Sequence, residues 1–520
     1  MWADCSRWGR HMTYFSTLAG TTALATLVAA GSAQADVTPE QVWQSWQELG
    51  ATYGQTLTAA NQSRTGDTLK LQDVRMHFAQ DGTVVEGTIP EVNLTQRGDG
   101  TVEITMSPEF PVEMTIPNEP DAENPAPEPT ELALALRQPG MVMVAGGDDL
   151  ATTLAFDAPS TTIAVTEVDG VSAREMNLTA EMTMSDVAGT YRTEGTDTRS
   201  ITNDFTAAVA EMTFAMTDPE TKGKVNVRAS ATDLKGTSSG KMVGTLGMAD
   251  MAAALQAGAA STGSFTYGPA TLEFDFADAT DKGKGSASAA GGNLDVSMSG
   301  DSLSYGGGTK NVSLTLSGSQ IPFPQFNMSY AEAAFQLLTP VTTSEAAQDF
   351  RLLTRLVNFK VSDEIWAMFD PQAQLPRDPA TLVLDAKGKA RLDIDLLDPK
   401  QVETLGEKAP GQIEALDLDQ LQLTIAGADL TGDGSLTFDN SDTTTFGGVP
   451  APTGQIDLKL VGGNALIDKL VGIGIVPQDQ AMAARMMLGL FARPGEGEDT
   501  LTSTLEFKDK GFYANGQRLQ

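Results

Sequence analysis

The chain has 520 residues and a formal net charge of −34, from 68 acidic and 34 basic side chains. That balance repels nucleic-acid phosphates and anionic lipid head groups, which excludes both as electrostatic partners. Hydrophobic residues make up 41% of the chain, so it can build cores rather than remain a disordered coil.

The first element is an export signal. Arg7, Arg10 and His11 precede an uncharged stretch that starts at Phe15. Ala33-Gln34-Ala35 satisfies the small-x-small cleavage rule, so residues 1–35 read as a signal peptide cut after Ala35. Met12 is an alternative start. The stretch carries too much Thr, Ser and Gly to be retained as a span, so no transmembrane anchor is expected after cleavage. The single cysteine, Cys5, lies inside this segment. A mature chain without thiols has no disulfide, no Cys-ligated zinc and no Cys nucleophile.

The mature chain opens on a helix. Thr38 and Gln41 form a capping box around Pro39, and Val42, Trp43, Trp46 and Leu49 make one apolar stripe that ends at Gly50. Period two then takes over. "VEITM" from Val102, "ELALAL" from Glu131, "TLEFDF" from Thr271, "NLDVSM" from Asn293 and "NVSLTL" from Asn311 all alternate, as half-buried strands do. Asp-Gly pairs at 81–82, 99–100 and 169–170 supply hairpin turns. Residues 60–325 therefore read as a long antiparallel meander, interrupted by a short helix from Met248. A charged Pro-rich loop is expected at 117–131. "IPFPQF", 321–326, reads as a hinge into a second half.

Beyond 326 the pattern mixes. Helices are expected at 344–359, at 362–370 with Ser362 as cap, and near "NALIDKLVGIG" and "PQDQAMAARMMLGLF". Strands lie between them, and a hairpin closes the chain. The fold class is mainly β with an α+β C-terminal half, long antiparallel meander sheets carrying a few packed helices. The expected division is signal peptide 1–35, helix plus β-rich region 36–325, and α+β domain 326–520.

Candidate chemistry is sparse. "DLTGDGSLTFDN", Asp429–Asn440, imitates the start of an EF-hand, but its flanks alternate as strands and its twelfth residue is Asn440 rather than Glu. It reads as a hairpin with Gly432–Gly434 in the turn, leaving weak calcium binding at Asp429–Asp433 open. "GTSSG", 236–240, places Ser238 in a nucleophile-elbow pattern, with His77 the one histidine of the mature chain. The context is a turn between strands, so a Ser238–His77 hydrolase is the alternative and not the preferred reading. Met141-x-Met143 and Met182-x-Met184 could hold Cu(I), but Met at this spacing is core material. Asp pairs at 393–398 and 417–419 fit solvated strand faces. No phosphate-cradling or dinucleotide motif is present, and no catalytic, metal or cofactor residue is assigned. Met182, Met184, Met212, Phe214 and Met216 form the candidate face for an apolar ligand, since thioethers adapt to ligands without fixed shape.

"VSDEIWAMFDPQAQLPRDPATLVLDAKGKARLDIDLLDP", 361–399, carries a resemblance. Trp366, Phe369-Asp370-Pro371, Leu375-Pro376-Arg377-Asp378-Pro379 and Lys387-Gly388-Lys389 resemble an alphaproteobacterial family of exported proteins classed as a domain of unknown function. "GDGSLTFDN", "PTGQIDLKLVGG" and "LVGIGIVPQDQ" extend it over most of the mature chain. The layout ending in "FYANGQRL" is loosely similar to AsmA-like envelope proteins, which are associated with lipid handling. The resemblance implies no activity or catalytic residues. The expectation is a non-enzymatic periplasmic envelope protein that binds apolar ligands or lipid on a curved sheet, or acts as a scaffold. Lipid or another envelope protein would be its partner, and no cofactor is expected. An enzyme of unknown type and an outer-membrane-associated β protein are the alternatives.

Overall fold

The computed structural model describes residues 37–520 apart from 53, 81, 120–126, 149–150, 197, 244–250 and 407–408. The expected signal peptide, the start of the expected helix at Met248 and the middle of the Pro-rich loop lie outside the described residues. The described residues are 63% strand and 12% helix, a long antiparallel meander with a few helices. This is the mainly β class that two-residue alternation predicts.

Contacts divide the chain into two units. The first holds the described residues up to Val171, with 182–209 and 235–240; the second holds 172–181, 210–234 and 241–520. In chain order come α1 (Pro39–Thr52), β1 (Gln55–Thr65), β2 (Thr68–Gln80), β3 (Thr83–Gln96), β4 (Val102–Met106), β5 (Glu109–Ile116), β6 (Thr130–Arg137), β7 (Val142–Gly147) and β8 (Ala151–Val168). Next are β9 (Val171–Ser172), β10 (Leu178–Glu194), β11 (Thr198–Thr217), β12 (Lys224–Val243) and α2 (Met251–Gln256). The remainder is β13 (Ala260–Tyr267), β14 (Ala270–Ala277), β15 (Lys282–Ala289), β16 (Gly291–Ser299), β17 (Ser302–Gly318), β18 (Phe326–Pro340), β19 (Gln348–Val361), α3 (Asp363–Phe369), β20 (Ala380–Leu392), α4 (Pro399–Leu405), β21 (Gly411–Ile425), β22 (Ala428–Asp439), β23 (Ala451–Val461), α5 (Gly463–Gly472), α6 (Gln478–Phe491), β24 (Arg493–Pro494), β25 (Thr500–Lys508), β26 (Gly511–Ala514) and β27 (Gln517–Arg518).

The first unit has a covered core. Thr38 N donates to Gln41 Oε1 (2.9 Å) and Gln41 N to Thr38 Oγ1 (3.3 Å), the reciprocal cap that starts α1. The helix runs two residues past Gly50 and lies against β1–β3, with Val42 and Trp43 buried. Leu69, Leu94, Ile104, Met143 and Phe156 face one another in register across five strands. All five are buried. Removing side chains of this kind from water stabilises by roughly 1.5–3 kcal/mol each.

Long strands keep their apolar side chains on one face by a local device. In β2, Leu69 and Leu71 are buried, and so is Val74, which has the opposite parity. Asp73 stands between them at φ 49°. In β17, Tyr305, Gly307 and Thr309 precede Asn311 (φ 48°), and Val312, Leu314 and Leu316 follow it. Thr309 Oγ1 lies 3.1 Å from the hydroxyl of Tyr330, the residue opposite Val312, so both sides of the switch share a face. Asp186, Asp233 and Asn358 adopt the same conformation within β10, β12 and β19. A left-handed residue places the next side chain on its own side of the strand, and Asp and Asn tolerate that geometry better than other side chains.

Two sequence expectations are corrected. Residues 348–361 form β19, not part of a helix at 344–359. Phe350, Leu353, Leu356 and Val357 fit a helix, but Phe350, Leu352, Thr354 and Leu356 also fit a strand. Pairing with β18 on one edge and β20 on the other decides between them. Gly432 and Gly434 lie inside β22, and the turn is Ala426–Gly427 at φ 50° and 84°. Gly434 is needed for space, since a Cβ there would stand 2.3 Å from the Gln455 carbonyl oxygen, and a Cβ on Gly432 would push Leu458 Cδ2 aside from 2.5 Å. The stretch 321–326 connects β17 to β18, which pair from Leu316–Phe326 onward.

The switch residues make a direct prediction. Asn311→Gly should melt within a few degrees of the parent, whereas Asn311→Val, which resists positive φ, should lose about 1–2 kcal/mol and melt several degrees lower. Equal melting of the two variants by circular dichroism would remove the proposed role of left-handed residues.

Candidate functional site

The second unit exposes most of one sheet face. Its strands pair antiparallel in the order β12, β14, β15, β17, β18, β19, β20, β21, β22, β23, β25, β26, with β13 and β16 joining through β17. Directly opposed residues share a face, so the registers define rows across the strands. One row is Leu356, Leu382, Leu423, Leu430, Leu460 and Leu501, six leucines on six strands. A second runs Tyr305, Leu337, Leu352, Ala386 and Leu418. A third runs Leu294, Gly307, Phe335, Thr354, Leu384 and Leu421. Beyond the Asn311 switch the face continues as Leu272, Ala287, Leu314 and Met328. None of these rows contains Asp, Glu, Lys or Arg.

The face is open. Leu272, Phe276, Leu294, Tyr305, Phe335, Leu337, Leu352, Leu382 and Leu423 are each 37–45% exposed. In the first unit the equivalent strand residues Leu71, Val92, Leu94, Val102 and Ile104 are fully buried. The texture is low where glycine stands opposite a ring. A Cβ at Gly285 would meet Phe274 Cε1 at 2.5 Å and Leu316 Cδ2 at 2.6 Å, so the neighbouring side chains lie over the glycine. At the far end, α5 and α6 close the face. Ser503 Oγ donates to the Phe491 carbonyl (2.6 Å), and the rings of Phe491 and Phe512 stand 6.3 Å apart. The outer side of α6 carries Met482, Met486, Met487 and Leu490, all exposed.

The opposite face is a polar ladder. Arg351 donates to both oxygens of Asp385 (3.0 and 2.8 Å), Lys387 pairs with Asp419 (2.7 Å), and Thr504 Oγ1 donates to Asp457 (2.6 Å). Asn226 donates to Asp275 (2.6 Å), and Ser288 and Ser313 share a bond of 2.9 Å. A shallow cleft there is lined by Asn226, Arg228, Glu273, Asp275, Lys284 and Thr315. The sheet is therefore a single layer with one wet side and one apolar side.

The other residues singled out from sequence do not converge. Ser238 lies within β12 and accepts from Asn203 Nδ2 (2.8 Å), not on a strand-to-helix turn. His77 is on β2, where Nδ1 lies 3.0 Å from Glu86 Oε1. Asp429 accepts from Thr424 Oγ1, and Asp433 faces Asp457 across β22 and β23. Among the described residues no cluster of three or more His, Cys, Asp or Glu could hold a metal ion. Met141 and Met143 are buried in the first unit. Met182 and Met184 belong to the first unit, and Met212, Phe214 and Met216 to the second, all at least partly exposed. Among the described residues no helix is long and apolar enough to cross a membrane.

Asp370 explains part of the recognisable motif. It is fully buried, and its carboxylate accepts from Gln374 N (2.9 Å) and Leu375 N (2.8 Å), which folds the loop after α3 and buries Leu375. Pro376 then sits against Gly427 of the β21–β22 turn. The family described as "uncharacterized protein conserved in bacteria (DUF2125)" matches residues 265–516. That segment belongs to this family. The match takes in β14–β26, nearly all of the open apolar face, and does not extend to residues 36–264. No curated protein and no solved structure matches the chain. The looser likeness to AsmA-like envelope proteins therefore draws no support from them.

Burial raises the Asp370 pKa, but the Leu375 and Gln374 amides and the Arg377 charge outweigh burial and hold it below the ordinary carboxylate range. A folded-state pKa below the unfolded value stabilises at pH above about 4 and loses that contribution as pH falls through the folded value. Asp370→Asn should melt well below the parent at pH 7, and the gap should shrink steadily below pH ~4. A gap that stays constant down to pH ~2 would show that the carboxylate charge is not what holds the loop.

Proposed function

We propose that this is an exported, periplasmic, non-enzymatic envelope protein that binds apolar ligands on the open sheet face of its second unit. The observation that carries the reading is the set of nine large side chains left 37–45% exposed on one charge-free face. Isolated exposed apolar residues are ordinary, but a contiguous patch across this many strands is the mark of an interaction site. Completing the burial of nine such side chains would contribute roughly 5–10 kcal/mol before the costs of association, which suits micromolar binding. Met212, Phe214 and Met216 alternate on β11 in the same unit and extend the proposal to that strand. Export is supported by the sequence of residues 1–35, with cleavage after Ala35.

The test is uptake of a fluorescent fatty-acid probe by delipidated protein. Binding is expected in the micromolar range, and Leu337→Asp with Leu352→Asp should weaken it by at least about tenfold, because each variant places a carboxylate in the apolar rows. Both side chains are half-exposed, so the double variant should keep its circular dichroism spectrum. Absence of uptake by the parent protein, or unchanged uptake by the double variant, would overturn the reading.

A further inference from the structure

We infer that the open face takes the acyl chains of lipids and does not read their head groups. This rests on the proposed apolar-ligand function and deepens it. The rows that make the face carry no ionised side chain, and their polar atoms are hydroxyls such as those of Tyr305, Thr309, Tyr330 and Thr354. Thr309 and Tyr330 already satisfy each other at 3.1 Å. A phosphate, carboxylate or ammonium laid on this surface would lose its water and gain no partner, which costs several kcal/mol. The cations of these strands are held on the other side. Arg351 and Lys387 are paired there with Asp385 and Asp419, and Arg228 and Lys284 line the cleft of that polar face.

The dimensions favour a long chain over a small planar ligand. Six strands spaced by about 4.8 Å make the row from Leu294 to Leu421, on the open part of the face, roughly 24 Å long. The hydrocarbon of one membrane leaflet is about 15 Å deep, half of a ~30 Å core, so one row can receive a full acyl chain end to end. A head group would then project past the rim into water. With nothing on the face to hold it, its identity has no route to affinity.

The experiment uses the full mature chain and displacement of the fluorescent fatty-acid probe by lysophospholipids below their micellar concentrations. Lauroyl, myristoyl and palmitoyl chains are compared, each with choline and with glycerol head groups. Salt at about 0.5 M shortens screening to under ~5 Å and removes the general repulsion by the acidic chain. Affinity should rise several-fold for each two-carbon extension, with about fifteenfold as the ceiling, and should agree within about threefold between head groups. A head-group preference beyond about tenfold would overturn this inference and leave the apolar-ligand reading standing. Failure of both the probe and all lysolipids to bind would remove the two together. A concentration-dependent dimer that excludes the probe would make a second copy the occupant and overturn both.

Discussion

Sidedness is the constraint on which this structure depends. A strand shows its faces alternately, so an apolar surface survives over many strands only if every strand keeps its register and its parity. Here the strands reach twenty residues, as in β11 and β12, and twist accumulates along such lengths. Asp73, Asp186, Asp233, Asn311 and Asn358 reset the parity within strands by adopting left-handed backbone. Without that step the residues beyond Asn311 would send Val312, Leu314 and Leu316 to the polar ladder. The apolar surface and the ladder would both be cut in two.

The same sidedness has opposite outcomes in the two units. In the first, α1 and facing strands cover the apolar side, and the central residues are removed from water. In the second, the apolar side of a single-layer sheet stays open between β14 and β21, while α5 and α6 close one end. Stability of the open layer then comes from pairing on both edges of each strand and from the cross-strand bonds of its polar side, such as Arg351 to Asp385. Leaving apolar area exposed forgoes stabilisation that the first unit obtains, and surface of that kind is kept where something is bound. Asp370 shows that recognisable motifs in this chain are architectural, since its carboxylate folds a loop and touches nothing on the open face.

Local pattern revealed most strands and little of the site. The runs at Val102, Leu132, Leu272, Leu294 and Val312 alternate cleanly, and each is a strand. The capping box at Thr38 and the helix after Ser362 were equally legible. Residues 348–361 satisfied both periods, and only partners distant in sequence selected the strand. The Ala426–Gly427 turn lacked the Asn-Gly or Asp-Gly signal, whereas Gly432 and Gly434 looked like turn residues but make room for Leu458 and Ile456. Flexible methionines from Met182 to Met216 mark one candidate ligand face in the sequence. The face left open in the second unit consists mainly of Leu and Phe farther along the chain. Whether a face is covered depends on what packs over it, and no local rhythm carries that.

The outer side of α6 has one more consequence. Met482, Met486 and Met487 are 54–71% exposed. Thioethers so placed meet peroxide before any buried one does. Conversion to sulfoxides would turn this greasy ridge into a polar, chiral surface without touching the sheet beneath it. The helix would then register the history of its surroundings while the strands keep their chemistry.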